Sequence, residues 1–337
     1  MKRANELTIW ACILLVLAPL AVAQNQHAFV WSNSTGMTDV GTLGGNSSYA
    51  LQINDSGEVA GWSYLADNVT THAFTWTPSG GMVDIDASDG CCSQAQAINS
   101  LGEVAGDIAL GAVQSPFFWS PSGGLVSLGY FTGDPRNYGL GINGHSQVTG
   151  QVYYGEIVQA FIWSPTSRLT PLGHLPGGLH SVGTAINNHA SIVGTASLPG
   201  GSFTGFIWNH SLGMHDIGIL SGGTYTAGEA INDSDQVAGW GFTNSSRTTM
   251  SAFYWAKPSG RHLLRTLGGD QTFAWGINQQ GNIAGHSNLT GDTAVHATFW
   301  NSYTSVPTDL GTLPGGTNSY ARGLNDVGQV VGYADVP

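Results

Sequence analysis

The chain has 337 residues, of which only 9% are charged, 10% are aromatic and 49 are glycine. Roughly a quarter of an ordinary soluble domain is charged, and helical proteins are rich in Glu, Lys, Arg and Ala, so a mostly helical chain is excluded. An apolar share of 41% excludes disorder, and 9 Lys and Arg against 21 Asp and Glu leave no basic surface for nucleic acid.

Residues 1–23 read as a secretory signal peptide. Lys2 and Arg3 form a positive start, Trp10 to Ala23 is an apolar run, and Ala21-Val22-Ala23 is a small-residue cleavage box. Cleavage after Ala23 removes Lys2, Arg3 and Glu6 and leaves 7 basic and 20 acidic residues, net −13. The run is short for a membrane span of about 20 residues, and no second stretch is long enough. A secreted or periplasmic product is expected, without a membrane span once the signal is removed.

Residues 24–337 are dominated by an internal repeat. An aromatic pair recurs as Phe29-Val-Trp31, Phe74-Thr-Trp76, Phe117-Phe-Trp119, Phe161-Ile-Trp163, Phe206-Ile-Trp208 and Phe253-Tyr-Trp255, with Thr298-Phe-Trp300 as a seventh, variant copy. The tryptophans are 45, 43, 44, 45, 47 and 45 residues apart. A second marker keeps the same step: Asn54, Asn99, Asn143, Asn187, Asn232, Asn278 and Asn325, each after Ile or, once, Leu. A short apolar run ending in glycine follows each, at Gly61, Gly106, Gly150, Gly194, Gly239, Gly285 and Gly332.

Within a unit the hydrophobic period is two. Ala50–Asn54, Glu58–Trp62, His72–Trp76 and Met82–Ile85 read as four strands joined by Asp55-Ser-Gly57, a variable loop and Pro78-Ser-Gly-Gly81. Four antiparallel strands in about 45 residues is the spacing of a propeller blade. Six blades can be built whole, at 49–87, 94–129, 137–173, 182–218, 226–266 and 272–311. The chain opens with a third and fourth strand (27–43) and ends with a first and second (318–335). These halves complete a seventh blade and close the ring, which predicts one all-β domain, a seven-bladed β-propeller.

His27-Ala-Phe29 and His72-Ala-Phe74, each followed by Trp and the first later by Asp39-Val-Gly-Thr-Leu-Gly-Gly45, resemble the HAF-type extracellular repeat family over essentially all of residues 24–337. The resemblance implies a secreted bacterial repeat protein. It implies no activity.

The recurring residues read as structural. The Phe and Trp of the third strand fill the wedge between blades, and the Asn after each Ile bonds its turn. The Gly-Gly pairs at 44, 177, 222, 268 and 315 are blade-to-blade turns, since no helix with Lys-Ser/Thr follows to cradle a phosphate. Asn54-Asp55-Ser56-Gly57 lacks the ligand ladder of a calcium loop, and His174, His180 and His189 fall on different turns, so no metal or other cofactor is expected. Cys91 and Cys92 could form a vicinal disulfide. Eight Asn-x-Ser/Thr sequons, including Asn33, Asn68, Asn244 and Asn288, are expected to stay bare in a bacterial host.

The positions released from the pattern are more informative. Three residues before each marker Asn, between mostly small neighbours, stand Leu51, Gln96, Leu140, Thr184, Glu229, Trp275 and Arg322. First strands line the channel of a propeller, so this ring is the candidate ligand site, with Glu229, Trp275 and Arg322 forming a polar patch on the fifth to seventh blades. The loops between second and third strands vary most and carry Tyr64, Tyr153, Tyr154, Phe203 and Phe242, a second candidate contact face. A non-catalytic recognition or adhesion module, monomeric, binding a glycan or a protein partner, is the first reading. The alternative is a polysaccharide hydrolase or lyase using two of Asp134, Glu229 and Asp270 at the channel mouth. No catalytic residue is assigned, because Gly-x-Ser-x-Gly is missing and no two of these acids share a blade.

Overall fold

The computed structural model describes residues 25–86, 92–129 and 136–337. The chain starts with β1 (Gln26–Ser32) and β2 (Gly36–Gly41). Blade one is β3 (Gly44–Ile53), β4 (Val59–Leu65), β5 (Thr71–Thr77) and β6 (Gly81–Asp84). Blade two is β7 (Ser93–Ile98), β8 (Val104–Leu110), β9 (Val113–Ser120) and β10 (Gly124–Ser127). Blade three is β11 (Asn137–Ile142), β12 (Val148–Tyr154), β13 (Ile157–Ser164) and β14 (Ser167–Pro171). Blade four is β15 (Ser181–Ile186), β16 (Ile192–Ser197), β17 (Phe203–Asn209) and β18 (Gly213–Gly218). Blade five is β19 (Thr226–Ile231), β20 (Val237–Phe242), β21 (Met250–Ala256) and β22 (Gly260–Leu263). Blade six is β23 (Gly268–Ile277), β24 (Ile283–Leu289), β25 (Val295–Trp300) and β26 (Thr308–Asp309), and the chain ends with β27 (Ser319–Leu324) and β28 (Val330–Asp335).

The seventh sheet has the order β2-β1-β28-β27, so the two ends of the chain share one blade. β1 runs antiparallel to β28 with Gln26 opposite Asp335 and Trp31 opposite Val330. The seven-bladed β-propeller is therefore closed by main-chain hydrogen bonds, which removes the open edge a ring of sheets would otherwise present.

A second closure runs round the turn end of the first strands. Each marker Asn donates from Nδ2 to the main-chain carbonyl of the marker Asn in the next blade, and Asn325 donates to Asn54, completing a seven-membered circuit at 2.9–3.1 Å. Every Oδ1 meanwhile accepts the N–H four residues on in its own turn. All seven are buried, so the period of the sequence is also the period of a hydrogen-bonded belt.

Between blades the phenylalanines do most of the packing. Phe29, Phe74, Phe117, Phe161, Phe206 and Phe253 are fully buried. The tryptophans two residues on lie nearer the outer end of the wedge, where Trp31, Trp76, Trp119, Trp163 and Trp255 remain half-buried. Only Trp208 and Trp300 go fully inside, Trp300 in the blade whose Phe is replaced by Thr298. The second-strand glycine lies under the first strand: a Cβ on Gly61 would run into the Tyr49 carbonyl and Phe74, and the other six meet the same carbonyl position. A buried Ser or Thr at the start of five first strands accepts an N–H from the third strand of the blade before it, at 2.8–2.9 Å. The repeat histidines are structural as well, each bonding through Nδ1 to a fourth-strand Asp: His27 to Asp39, His72 to Asp84 and His296 to Asp309.

Two boundaries differ from expectation. β3 and β23 start near residues 44 and 268, because Gly44 (φ 107°) and Gly268 (φ 108°) bring their linkers alongside Leu65 and Leu289. The signal segment and Cys91 lie outside the described residues; Cys92 is disulfide-bonded.

Candidate functional site

The backbone of the first strand creates the site. In all seven blades the pairing of first and second strands skips one residue, as at Ala50/Gln52 and Ala321/Gly323. The skipped residues are Leu51, Gln96, Leu140, Thr184, Glu229, Trp275 and Arg322. A bulge leaves its residue outside the ladder and re-aims the side chain. Here all seven line one central cavity of about 250 Å³. In six of the seven blades the residue after the bulge is Gly or Ala, Gln52 being the exception, because neighbouring first strands almost touch there: a Cβ on Gly276 would lie 2.8 Å from Leu324, and one on Gly141 would lie 3.0 Å from Ala185.

Two members of the expected patch meet directly, and the third, Glu229, bonds elsewhere. The Arg322 guanidinium carbon lies 3.8 Å from the centroid of the Trp275 ring, a cation–π stack between blades seven and six. Trp275 Nε1 donates to His286 Nδ1 at 3.2 Å, and Trp240 Nε1 donates to Glu229 Oε1 at 2.8 Å. Thr184 is spent on structure, its hydroxyl donating to the Gly228 carbonyl at 2.6 Å.

A second tier went unnoticed in the sequence. The residue after each second-strand glycine (Trp62, Asp107, Gln151, Thr195, Trp240, His286 and Tyr333) stands opposite Tyr49, Gln94, Tyr138, Val182, Ala227, Phe273 and Tyr320. From blade one through seven, six and five these side chains make a continuous aromatic arc. Tyr49 stacks on Trp62 at 4.1 Å, Tyr333 on Tyr320 at 5.0 Å, His286 on Phe273 at 4.6 Å, and Phe273 meets Trp240 at 5.1 Å. Blade two is polar instead, with Gln94 and Asp107 on the wall, and blade three sets Gln151 beside Tyr138. Asp107 accepts from Gln96 at 3.3 Å and from Gln114.

Burial sets the ionisation of the wall. It pushes the Glu229 carboxyl up to about 7, against the downward pull of Arg322 and the Trp240 hydrogen bond. It pushes Asp107 up to about 7 against its two glutamine bonds. It pushes His286 down to about 3, with Arg322 adding to the effect. Near neutral pH the two acids are part-protonated and His286 is neutral.

The expected acids need correction. Asp270 is exposed in the linker of blade six, where its N–H donates to Asp292, and does not line the cavity. Asp134 lies outside the described residues. Among the described residues the acids that line the cavity are Glu229 and Asp107, on blades three steps apart. The aromatic loop face is also corrected: Tyr153 and Phe203 are buried, and Tyr64 and Phe242 pack edge-on against Trp62 and Trp240. Among the described residues, no group of three or more His, Cys, Asp and Glu could hold a metal ion, and no helix is long and apolar enough to cross a membrane.

No family model matches the chain, and no curated protein matches it. Among solved structures, the β-propeller domain of the Trilobed protease from Pyrococcus furiosus is 11% identical with a TM-score of 0.51, over 82% of this chain and 88% of that one. That domain is described as having an open velcro topology, whereas here the ends are paired. TolB from Acinetobacter baumannii is 11% identical at a TM-score of 0.48, over 70% of this chain; the chain spans 62% of TolB's length. A lectin from Aleuria aurantia is 11% identical at a TM-score of 0.39, over 82% of this chain and 100% of that one. At these identities the likeness concerns the propeller fold alone.

Proposed function

We propose that the chain is an extracytoplasmic, non-catalytic recognition propeller of the HAF-repeat type, acting as a monomer, that holds one sugar-sized unit of a glycan in its central cavity. The observation that carries this reading is the bulge ring. Seven copies of one backbone device aim six kinds of side chain into one cavity, leucine alone occurring twice (Leu51 and Leu140), and a scaffold that repeats while its chemistry varies is suited to discriminating a ligand. Trp240, Trp275 and Tyr138 supply flat faces for the apolar side of a sugar ring, and Gln94, Gln96 and Gln151 supply donors and acceptors for its hydroxyls. A volume of about 250 Å³ is below the range of roughly 300 Å³ upwards that holds drug-sized ligands, so the deep site takes a single unit.

The enzyme reading draws on one observation, two carboxyls near neutrality in one cavity. Against it, Glu229 and Asp107 are already held by Trp240, Gln96 and Gln114, on blades three steps apart. The test is a glycan and peptide array on residues 24–337, followed by calorimetry and an assay for cleavage of every ligand found. Saturable glycan binding without turnover is expected. A protein or peptide ligand bound in preference to every glycan would overturn the reading, and so would turnover abolished by Glu229→Gln or Asp107→Asn.

A further inference from the structure

We infer that the unit seated in the cavity carries a carboxylate, as a uronic acid does, and that Arg322 is its anchor; the inference rests on the glycan-binding reading above. Arg322 is the one fixed cation among the described residues that line the cavity. Its guanidinium carbon sits 3.8 Å from the centroid of the Trp275 ring, a cation–π contact that uses none of the five N–H donors. Among the described residues the guanidinium makes no hydrogen bond and no ion pair.

The nearest candidate to neutralise Arg322 is engaged elsewhere. Glu229 feels the Arg322 charge, but its carboxylate accepts from Trp240 Nε1 and makes no ion pair with the guanidinium. Burial also keeps Glu229 part-protonated near pH 7, as it does Asp107 across the channel, while His286 beside Trp275 is neutral. The wall thus presents a cation with five unspent donors and weakly charged surroundings. Its natural complement is a ligand carboxylate, which a guanidinium binds through two parallel bonds.

A peptide C-terminus offers the same anion, and the remaining wall decides between the two. Trp275 beside Arg322 and Trp240 on the next wall position offer indole faces, and Gln94, Gln96 and Gln151 offer carboxamides, which match a sugar ring with an apolar C–H face and hydroxyls at its edge.

The test titrates the mature protein with glucuronate and galacturonate, their methyl esters, glucose and galactose, and short peptides with free or amidated C-termini. Tryptophan fluorescence and calorimetry serve as readouts. At pH 6, the free uronates are expected to bind at least tenfold tighter than their esters and the neutral hexoses. Arg322→Gln should reduce that preference to below threefold, and Arg322→Lys, which keeps the charge without the fork, should fall between. The ester comparison needs no variant, so a misfolded Arg322→Gln cannot decide the outcome. Esters and hexoses binding as well as uronates would overturn the carboxylate inference while leaving glycan binding in place. Free-C-terminus peptides binding where uronates do not would assign the anion to a protein partner and overturn both readings. Binding of none of these probes would also count against both.

Discussion

Arg322, on β27, and Asn325, just past its end, are three residues apart, yet they belong to regions built on opposite terms. The asparagine end is the same in every blade, and each copy is fixed by its neighbour, so that seven side chains form one closed circuit. The bulge end varies from blade to blade, with only leucine used twice, and its residues are excluded from the ladder by the same skipped pairing. A ring can vary at one level only because it is locked at another. Repetition supplies the lock, and the bulge supplies positions where a change of side chain leaves the ladder intact.

The comparison is most severely strained by substitutions in the locked region. Gly239→Ala puts a Cβ into the Ala227 carbonyl and against Phe253, with main chain on one side and a fully buried ring on the other. It is expected to cost about 3 kcal/mol or more and to lower the yield of folded protein. Asn232→Ala removes a buried amide that donates to Asn278 and Gln236 and accepts two turn N–H groups. A loss of about 2–4 kcal/mol in urea unfolding is expected.

The bulge region should respond differently, and in one case with the opposite sign. The folded-state pKa of Glu229 is raised to about 7 from an ordinary 4.5, so the folded chain holds a proton the unfolded chain has released. That contribution to stability is complete below about pH 4.5 and is lost as pH rises through 7. Glu229→Gln keeps the acceptor for Trp240 and escapes the loss. It should gain about 1–2 kcal/mol over the wild type at pH 8 and nothing at pH 4, measured by thermal or denaturant unfolding. The same ionisation places a negative charge beside Arg322, so uronate affinity should fall severalfold between pH 5.5 and 8.5, and Glu229→Gln should remove most of that fall. The smallest effect is expected at Leu140→Gln, a half-buried bulge residue with no ladder pairing, at under about 1 kcal/mol.

The fold was legible because the same residues had to be reused: the Ile-Asn and Phe-x-Trp markers, the glycine that clears a carbonyl, and the half-blades at each end. The bulge ring was legible for the complementary reason, as the position that the repeat leaves unconstrained between small residues. Less was legible in the second tier. Asp107, Trp240 and His286 occupy a repeated place, directly after the second-strand glycine, but only the pairing register across the bulge brings Asp107 and Trp240 to the wall and His286 against Trp275. The stack of Arg322 on Trp275 was likewise hidden, since it depends on how two bulges on separate blades turn their side chains. Asp270 misled because linker residues close to the channel in sequence are carried to the exposed rim by Gly268.

The most direct measurement places the ligand on the channel or on the loops. The best glycan from the array is titrated into the wild type, a channel variant (Trp275→Ala with Arg322→Gln), and a loop variant in which the exposed Val69 and Leu110 between second and third strands are replaced by Ser. The account predicts that binding is lost in the channel variant at an unchanged far-ultraviolet spectrum and stays within twofold of wild type in the loop variant. Binding that survives in the channel variant and disappears in the loop variant would contradict it.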